Sequence, residues 1–240
     1  MPRGIGLMFL LAVLVAGCGT LFNPFDGGSD KKGNGGIPSL GSACSFGVLA
    51  SSQVTNVQGS PSKITGDVGV SPGTQVTGFP SGTITGTVHA GDAVAALAQG
   101  DLGVAYVDLT GRTAPAPKTV AGDLGGMTLT PGIYKSTSSL FITGNLTLSG
   151  DGVYIFQIAS TLTTAAENSQ VILAGGAQAK NVFWVVGSSA TLGTHTTLNG
   201  NILAQSSITL TTGATINGRA LARTGAVTLD DSVIVAPACP

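Results

Sequence analysis

The chain has 240 residues, of which 37 are Gly and 29 are Thr, and only 9% are charged. A typical globular domain carries about 25% charged residues and about 7% Gly. The 42% of apolar residues can form a large core, which argues against disorder. A net charge of −1 with no basic cluster excludes nucleic acid as a partner. The composition therefore predicts a β-rich protein with many tight turns and a surface of hydroxyls rather than ions.

The first 17 residues predict a secretory signal. Arg3 precedes an apolar run over residues 7–16, which is too short to span a bilayer. The run ends in Val15-Ala16-Gly17-Cys18, which resembles the lipobox of bacterial lipoproteins. That resemblance implies lipidation of Cys18 and, because Gly rather than Asp follows it, the outer membrane where the cell has one. An exported, lipid-anchored or extracellular protein is the expectation, with an ordinary signal peptide as the alternative.

Residues 18–39 are rich in Gly, Asp, Lys and Asn and predict a flexible tether. The folded domain is then expected over residues 40–240. Its two Cys, Cys44 and Cys239, stand at the two ends of that domain in an oxidising setting. We expect one disulfide between them.

Residues 91–111 form the one convincing helical run of the sequence. Asp92 is the candidate N-cap, and five apolar residues are spaced along one side: Val94, Ala98, Leu102, Ala105 and Leu109. Gly100 and Gly103 each cost about 1 kcal/mol inside a helix, so we expect them to permit close approach to a sheet. The runs 153–158 and 181–186 predict strands buried on both sides, with Phe183 and Trp184 in the core or against the helix.

Self-comparison reveals repeats. Residues 189–206 and 207–224 align without gaps and agree at nine of the 18 positions, and an Ile/Leu-Thr/Asn-Gly element also recurs at residues 64, 84, 142, 198 and 216. Such a period predicts a solenoid with about three short strands per coil.

Alternation along the last coils predicts which side chains point inward. The expected inward set is Ala190, Leu192, Leu198, Ile202, Ala204, Ile208, Leu210, Ile216, Ala220 and Ala222. Leu203 and Leu221 point outward in successive coils and require a cover. We predict that the helix lies over them.

The sequence contains few residues in arrangements that could catalyse a reaction. The 11 acidic residues are scattered, and His89 and His195 have no Cys or acid at metal-ligand spacing. Residues 69–73 match the G-x-S-x-G pattern of a nucleophilic Ser, but Pro72 has no N–H for an oxyanion hole. We therefore expect no enzyme, no metal and no cofactor.

Threonines and asparagines recur at equivalent positions of the last two coils, at a spacing that would stack them about 4.8 Å apart. We predict a flat grid of methyl and hydroxyl groups that adsorbs to ice, although Thr is also simply a good strand former. The candidate residues are Thr191, Thr194, Thr197, Asn199, Thr209, Thr212, Thr215 and Asn217.

Four segments, over residues 68–92, 121–135, 181–193 and 207–230, resemble signatures of the ice-binding protein-like family of bacteria, fungi and algae. The resemblance covers residues 40–236. It implies an all-β solenoid, namely a right-handed, discontinuous, three-faced β-helix with one long α-helix along a face. It also implies ice adsorption through T-A/G-x-T/N elements, which here map to residues 212–215 and, in a degraded form with His195 at the small position, to residues 194–197.

The expected function is that of a monomeric surface protein that adsorbs to ice, inhibits ice growth and recrystallisation or attaches the cell to ice, and contacts the membrane only through its lipid anchor. A non-catalytic adhesin that binds carbohydrate or protein remains the alternative. A polysaccharide-degrading solenoid would require a cluster of carboxylates, which the spacing of the acidic residues disfavours.

Overall fold

The computed structural model describes residues 36–165, 167 and 169–239, and it confirms a three-faced β-solenoid. All strand pairings are parallel, and the strands form three sheets around one apolar core. We call them the helix-covered sheet, the threonine sheet and the third sheet.

Strands are given in the order in which they neighbour one another. The helix-covered sheet contains Val88–Ala90, Asp67–Val70, Phe46–Ala50, Ala220–Ala222, Asn201–Ala204, Val182–Val186, Tyr154–Ile158, Gly132–Ser136 and Lys118–Thr119. The threonine sheet contains Gln75–Thr77, Gln53–Asn56, Val227–Leu229, Ile208–Leu210, Ala190–Leu192, Leu162–Thr164, Leu140–Ile142 and Gly122–Asp123. The third sheet contains Thr128–Leu129, Asn145–Ser149, Gln170–Ala174, Thr197–Asn199, Thr215–Asn217, Val233–Val235, Lys63–Thr65 and Thr83–Ile84. Short 3₁₀ helices occupy Gly41–Ser45 and Ala179–Asn181.

The alternation of side chains in the last coils is as predicted. All ten residues expected to point inward are buried in the solenoid core. Residues in the centre of three-residue strands, such as Thr191 and Thr209, are half-buried between two buried neighbours. The Gly at each Asn-Gly corner allows the coils to stack closely, because a Cβ on Gly218 would lie 1.9 Å from the carbonyl oxygen of Gly200.

The coils do not stack in chain order. The strand Phe46–Ala50 pairs with Ala220–Ala222, so the N-terminal coils continue the stack beyond the C-terminal coils. The chain then reaches one edge of the helix-covered sheet at Val88–Ala90 and resumes at the opposite edge at Lys118–Thr119. Eight strand spacings separate these edges, about 38 Å. The intervening helix of 19 residues covers about 28 Å of this distance.

The predicted helix is confirmed at Ala93–Gly111. The Asp92 carboxylate accepts the Ala95 N–H at 2.9 Å as its N-cap. The helix packs over Leu203 and Leu221, as expected, and the outward row continues to Leu49 and Val185. Phe183 belongs to this helix-packed cluster, and Trp184 lies in the solenoid core.

Two details of the helix prediction are wrong. Val94 is 47% exposed, and Ala95 takes its place on the buried side, because the buried residues of the helix alternate at spacings of three and four. Gly100 does not approach a sheet, since a Cβ there would meet nothing within 4 Å. A Cβ on Gly103 would come only as near as 3.8 Å to the Arg223 guanidinium.

Gly100→Ala is therefore expected to stabilise the protein by about 0.5–1 kcal/mol, because Ala has the better helix propensity and nothing obstructs its methyl group. Urea denaturation measures the change in the free energy of unfolding. Gly91→Ala is the contrasting control, because Gly91 has a φ of +71° and a Cβ there would lie 2.6 Å from the Thr74 side chain. Destabilisation by Gly100→Ala would show that the helix packs more tightly at this point than described.

The predicted disulfide between Cys44 and Cys239 is present. Beside it lies Arg219, which is 2% exposed and which the sequence analysis did not single out. Its guanidinium donates to the carbonyl oxygens of Cys44 (2.8 Å) and Pro237 (2.5 Å) and to Asn201 Oδ1 (2.9 Å). Burial lowers the Arg219 pKa to about 10. The two ends of the domain are thus joined by a covalent bond and by one buried cation.

The proposed signal peptide (residues 1–17), the lipidated Cys18 and nearly all of the proposed tether lie outside the described residues. Within the described part of the chain, no helix is both long enough and apolar enough to cross a bilayer.

Candidate functional site: the threonine sheet

Six neighbouring strands of the threonine sheet carry Thr at the same outward position. The register pairs Thr55 with Thr77 and with Thr228, and Thr209 with Thr228 and with Thr191. Thr191 in turn pairs with Thr163. In order along the stack, this threonine ladder consists of Thr77, Thr55, Thr228, Thr209, Thr191 and Thr163.

The threonine ladder is supported from the core. Each central threonine of Ala190–Leu192, Ile208–Leu210 and Val227–Leu229 lies between two buried aliphatic residues, which fix the strand to the core. With about 4.8 Å between strands, six positions extend over about 24 Å. None of the six positions carries a charge. The face therefore repeats one methyl group and one hydroxyl group at a constant interval.

A second row of hydroxyls runs beside the threonine ladder, two residues earlier in each of four coils. Its members are Ser139, Thr161, Ser189 and Ser207. The Thr161 hydroxyl donates to Ser139 Oγ at 2.8 Å, and Ser189 Oγ accepts the Ser207 N–H at 3.3 Å. These short side chains are tied to the neighbouring coil, so the margin of the sheet is also small, polar and ordered.

The two ends of the threonine ladder differ in the residues that follow them. Thr77 lies on the edge strand of the sheet. Beyond Thr163 the register continues to Phe141 and then to Asp123. The Asp123 carboxylate accepts the N–H groups of Gly125 and Thr143, both at 2.9 Å. The Gly125 N–H is the main cause of the lowered pKa of Asp123, so the sheet has a charged end.

The third sheet has no comparable regularity. Thr197 and Thr215 are in register there, as predicted. The outward row to which they belong, however, combines a cation, an aliphatic residue and two amides with three threonines. In register order it consists of Thr83, Lys63, Val233, Thr215, Thr197, Gln170 and Asn145.

Asn199 and Asn217 are also in register on the third sheet, but their amide groups serve the fold. Asn217 Nδ2 donates to Asn199 Oδ1 at 3.0 Å, and Asn199 Nδ2 donates to the carbonyl oxygen of Val171 at 2.5 Å. These amides form an internal ladder that links successive coils.

The eight predicted ice-binding residues therefore do not lie on one flat face, and this part of the prediction is wrong. Thr191 and Thr209 lie on the threonine sheet, whereas Thr197, Thr215, Asn199 and Asn217 lie on the third sheet. The reason is a turn over residues 193–196, in which His195 has a φ of +54°, and the equivalent turn at Gly213, with a φ of +74°. Each turn redirects the chain from one sheet to the next.

Thr194 and Thr212 occupy this corner. The Thr212 hydroxyl donates to Asp230 Oδ2 at 2.5 Å, and Thr194 Oγ1 lies 3.5 Å from Thr211 Oγ1. His195 is exposed, and its Nδ1 lies 3.4 Å from Glu167 Oε1. The corner is thus polar and irregular, unlike the sheet next to it.

The described residues bring together no group of three or more His, Cys, Asp or Glu side chains that could hold a metal ion. Ser71, the Ser of the G-x-S-x-G match, is buried in a turn and is not followed by a helix. His89 is held by Asp92, with 2.7 Å between its Nδ1 and the carboxylate. None of these residues forms a nucleophile–base pair within the described part of the chain.

Residues 48–235 match the model of the Ice-binding-like family. The chain is 51% identical over 208 residues to an ice-binding protein of Nostoc sp. (strain HG1), with coverage of 85% of this chain and 75% of the relative. It is 38% identical over 219 residues to an ice-binding protein of Flavobacterium frigoris (strain PS1), covering 84% and 77%.

Solved structures of ice-binding proteins are also similar to this chain. An ice-binding protein from an Antarctic biological consortium superposes with a TM-score of 0.81 at 48% identity and covers 85% of this chain and 92% of that protein. The ice-binding protein of the Antarctic ascomycete Antarctomyces psychrotrophicus gives 0.79 at 43% identity, covering 84% and 99%. By family model, sequence and fold, the chain belongs to the Ice-binding-like family.

Proposed function

We propose that this protein adsorbs to ice through its threonine sheet and thereby inhibits ice growth and recrystallisation. The observation that carries the proposal is the ladder of six threonines in register across neighbouring coils. The ice-binding proteins to which the chain is similar support the activity. The regularity of the ladder supports the choice of this face.

The chemistry of adsorption follows from the two ends of a Thr side chain. Its methyl group restricts the orientation of the water molecules next to it, and its hydroxyl group donates one hydrogen bond and accepts two. A rigid row of such groups holds a layer of ordered water that can join a growing lattice. Because all six positions engage together, the adsorbed molecule does not leave, and ice grows only as curved fronts between bound molecules. No covalent chemistry and no cofactor are required.

Low charge supports this mechanism. A charged side chain orients water strongly around itself, which competes with the geometry of a lattice. The six ladder positions are uncharged, whereas the corresponding row of the third sheet includes Lys63. Surface hydroxyls in place of ions are therefore expected on an ice-facing sheet.

The activity itself is tested with the purified protein by thermal hysteresis and by ice recrystallisation in a sucrose solution. We expect measurable hysteresis and small, stable ice grains at micromolar concentration. Heat-denatured protein is the control. Grain growth equal to that in buffer, with the protein folded, would contradict the proposal.

We propose further that the mature protein begins at a lipidated Cys18 and that residues 18–39 connect the lipid to a domain over residues 40–240. The Leu14-Val-Ala-Gly-Cys18 sequence supports this proposal. A lipid anchor would place the activity at the cell surface, where it protects the envelope or attaches the cell to ice. A monomer is sufficient for this role.

Cys18→Ala is expected to abolish the incorporation of labelled palmitate and to remove the protein from the membrane fraction, because the thiol is the attachment atom. Cys239→Ser is the matched control, since it removes a Cys of the folded domain and should leave labelling intact. Labelling of Cys18→Ala at the wild-type level would overturn the lipidation proposal.

A further inference from the structure

The threonine ladder is interrupted at one bulky residue. Phe141 occupies the ladder position next to Thr163 and is itself followed by Asp123. It lies between two buried residues, Leu140 and Ile142, as Thr191 and Thr209 lie between theirs. Its side chain therefore points outward from the same sheet and in the same row.

The core does not account for a Phe at this position. Phe141 is 46% exposed and belongs to neither of the two buried apolar clusters. Leu140 and Ile142 already anchor the strand, and both are fully buried. The ring is thus a large apolar group on an otherwise hydroxyl-bearing row.

Hydroxyl-bearing residues flank the strand that carries Phe141. Ser139, two residues earlier, belongs to the second hydroxyl row and accepts from the Thr161 hydroxyl at 2.8 Å. Thr143, two residues later, donates its N–H to Asp123. The strand of Phe141 thus has small hydroxyl-bearing residues on both sides of the ring.

We propose that Phe141 sets the end of the ice-adsorbing face and limits its length to six positions. A phenyl ring projects further from the sheet than a Thr side chain, so a flat lattice in contact with Thr163 cannot also contact the next coil. This inference rests on the proposed function of the threonine sheet. Phe141 would then determine how many strands of the threonine sheet contact ice.

Phe141→Thr is expected to raise thermal hysteresis at equal protein concentration by about 1.2-fold or more, the ratio of seven ladder positions to six. Phe141→Tyr adds a hydroxyl but keeps the bulk and should leave hysteresis unchanged. Ile172→Thr is the matched control, because Ile172 is an exposed large aliphatic residue, 36% accessible, on the third sheet. It should also leave hysteresis unchanged. Thermal unfolding confirms that each variant is folded.

The outcomes separate this inference from the proposed function. A second variant, Thr209→Tyr, places a ring inside the ladder and should lose activity. If it does, unchanged or lower hysteresis for folded Phe141→Thr would overturn the role of Phe141 alone. An equal rise for Phe141→Tyr would also overturn it, since bulk would then not limit the face. A rise for Ile172→Thr, with none for Phe141→Thr, would move the adsorbing surface to the third sheet and overturn both.

Discussion

Thr209→Tyr is expected to remove most of the thermal hysteresis of the protein. Thr209 lies inside the ladder, with Thr228 and Thr191 as its register neighbours. A Tyr ring at this position projects from the middle of the ladder, so a flat lattice cannot contact the threonines on both sides of it at once. Tyr is a good strand former, so the fold should persist.

Thr215→Tyr provides the matched control for this prediction. Thr215 is a half-buried Thr of the same coil as Thr209, but it lies on the third sheet. We expect Thr215→Tyr to keep hysteresis near the wild-type level. Loss of activity in Thr215→Tyr with retention in Thr209→Tyr would assign adsorption to the third sheet. Loss in both would mean that the adsorbing surface extends around the corner, contrary to the single-sheet proposal.

Removal of the disulfide, by Cys44→Ser together with Cys239→Ser, is expected to lower the free energy of unfolding by up to about 5 kcal/mol. The bond closes a loop of 195 residues, and opening it restores conformational entropy to the unfolded chain. For a domain of this size, 1 kcal/mol corresponds to about 2–4 °C in the melting temperature, so a fall of up to about 10–20 °C is expected. Thermal unfolding followed by circular dichroism measures it.

The same experiment has two internal checks. Wild-type protein unfolded with a reducing agent present should melt like the double variant. Arg219→Met in the disulfide-free background should lower the melting temperature further, because the carbonyl oxygens of Cys44 and Pro237 lose their buried donor. A double variant that melts within about 2 °C of the wild type would show that the disulfide does not constrain the ends.

The sequence predicted the local structure well, because the signals involved are local. Alternation places the inward residues of the last coils correctly, since each strand turns one face to the solenoid core. The Asp92 cap and the outward Leu203 and Leu221 were sufficient to locate the helix and the surface it covers. The expectation of an oxidising compartment and the positions of Cys44 and Cys239 were sufficient to predict the disulfide.

The candidate site was only partly predictable, because its geometry depends on contacts between distant parts of the chain. Thr55 pairs with Thr228, and no repeat comparison of neighbouring coils can find two residues that far apart. The corner at His195 divides the predicted grid between two sheets, and a non-Gly residue with positive φ is difficult to anticipate from sequence. The sequence therefore indicated the kind of surface but not its position or its length.

Arg219 was missed for a related reason. It follows the Asn-Gly corner of a coil, a position that other coils fill with residues of different kinds, and its partners come from both ends of the domain. One signal was available, since Arg219 directly precedes Ala220, which the alternation places in the core. A charged residue at the start of a buried strand requires a partner.

Incorporation into growing ice tests the central claim most directly. Fluorescently labelled wild type, the Thr191→Tyr/Thr209→Tyr double variant and the Thr197→Tyr/Thr215→Tyr double variant are each frozen slowly onto an ice hemisphere, and the fluorescence in the ice is compared with that in the remaining liquid. We predict that the wild type and the third-sheet variant enter the ice and that the threonine-sheet variant remains in the liquid. Entry of the threonine-sheet variant together with exclusion of the third-sheet variant would contradict the assignment of the threonine sheet as the ice-adsorbing face.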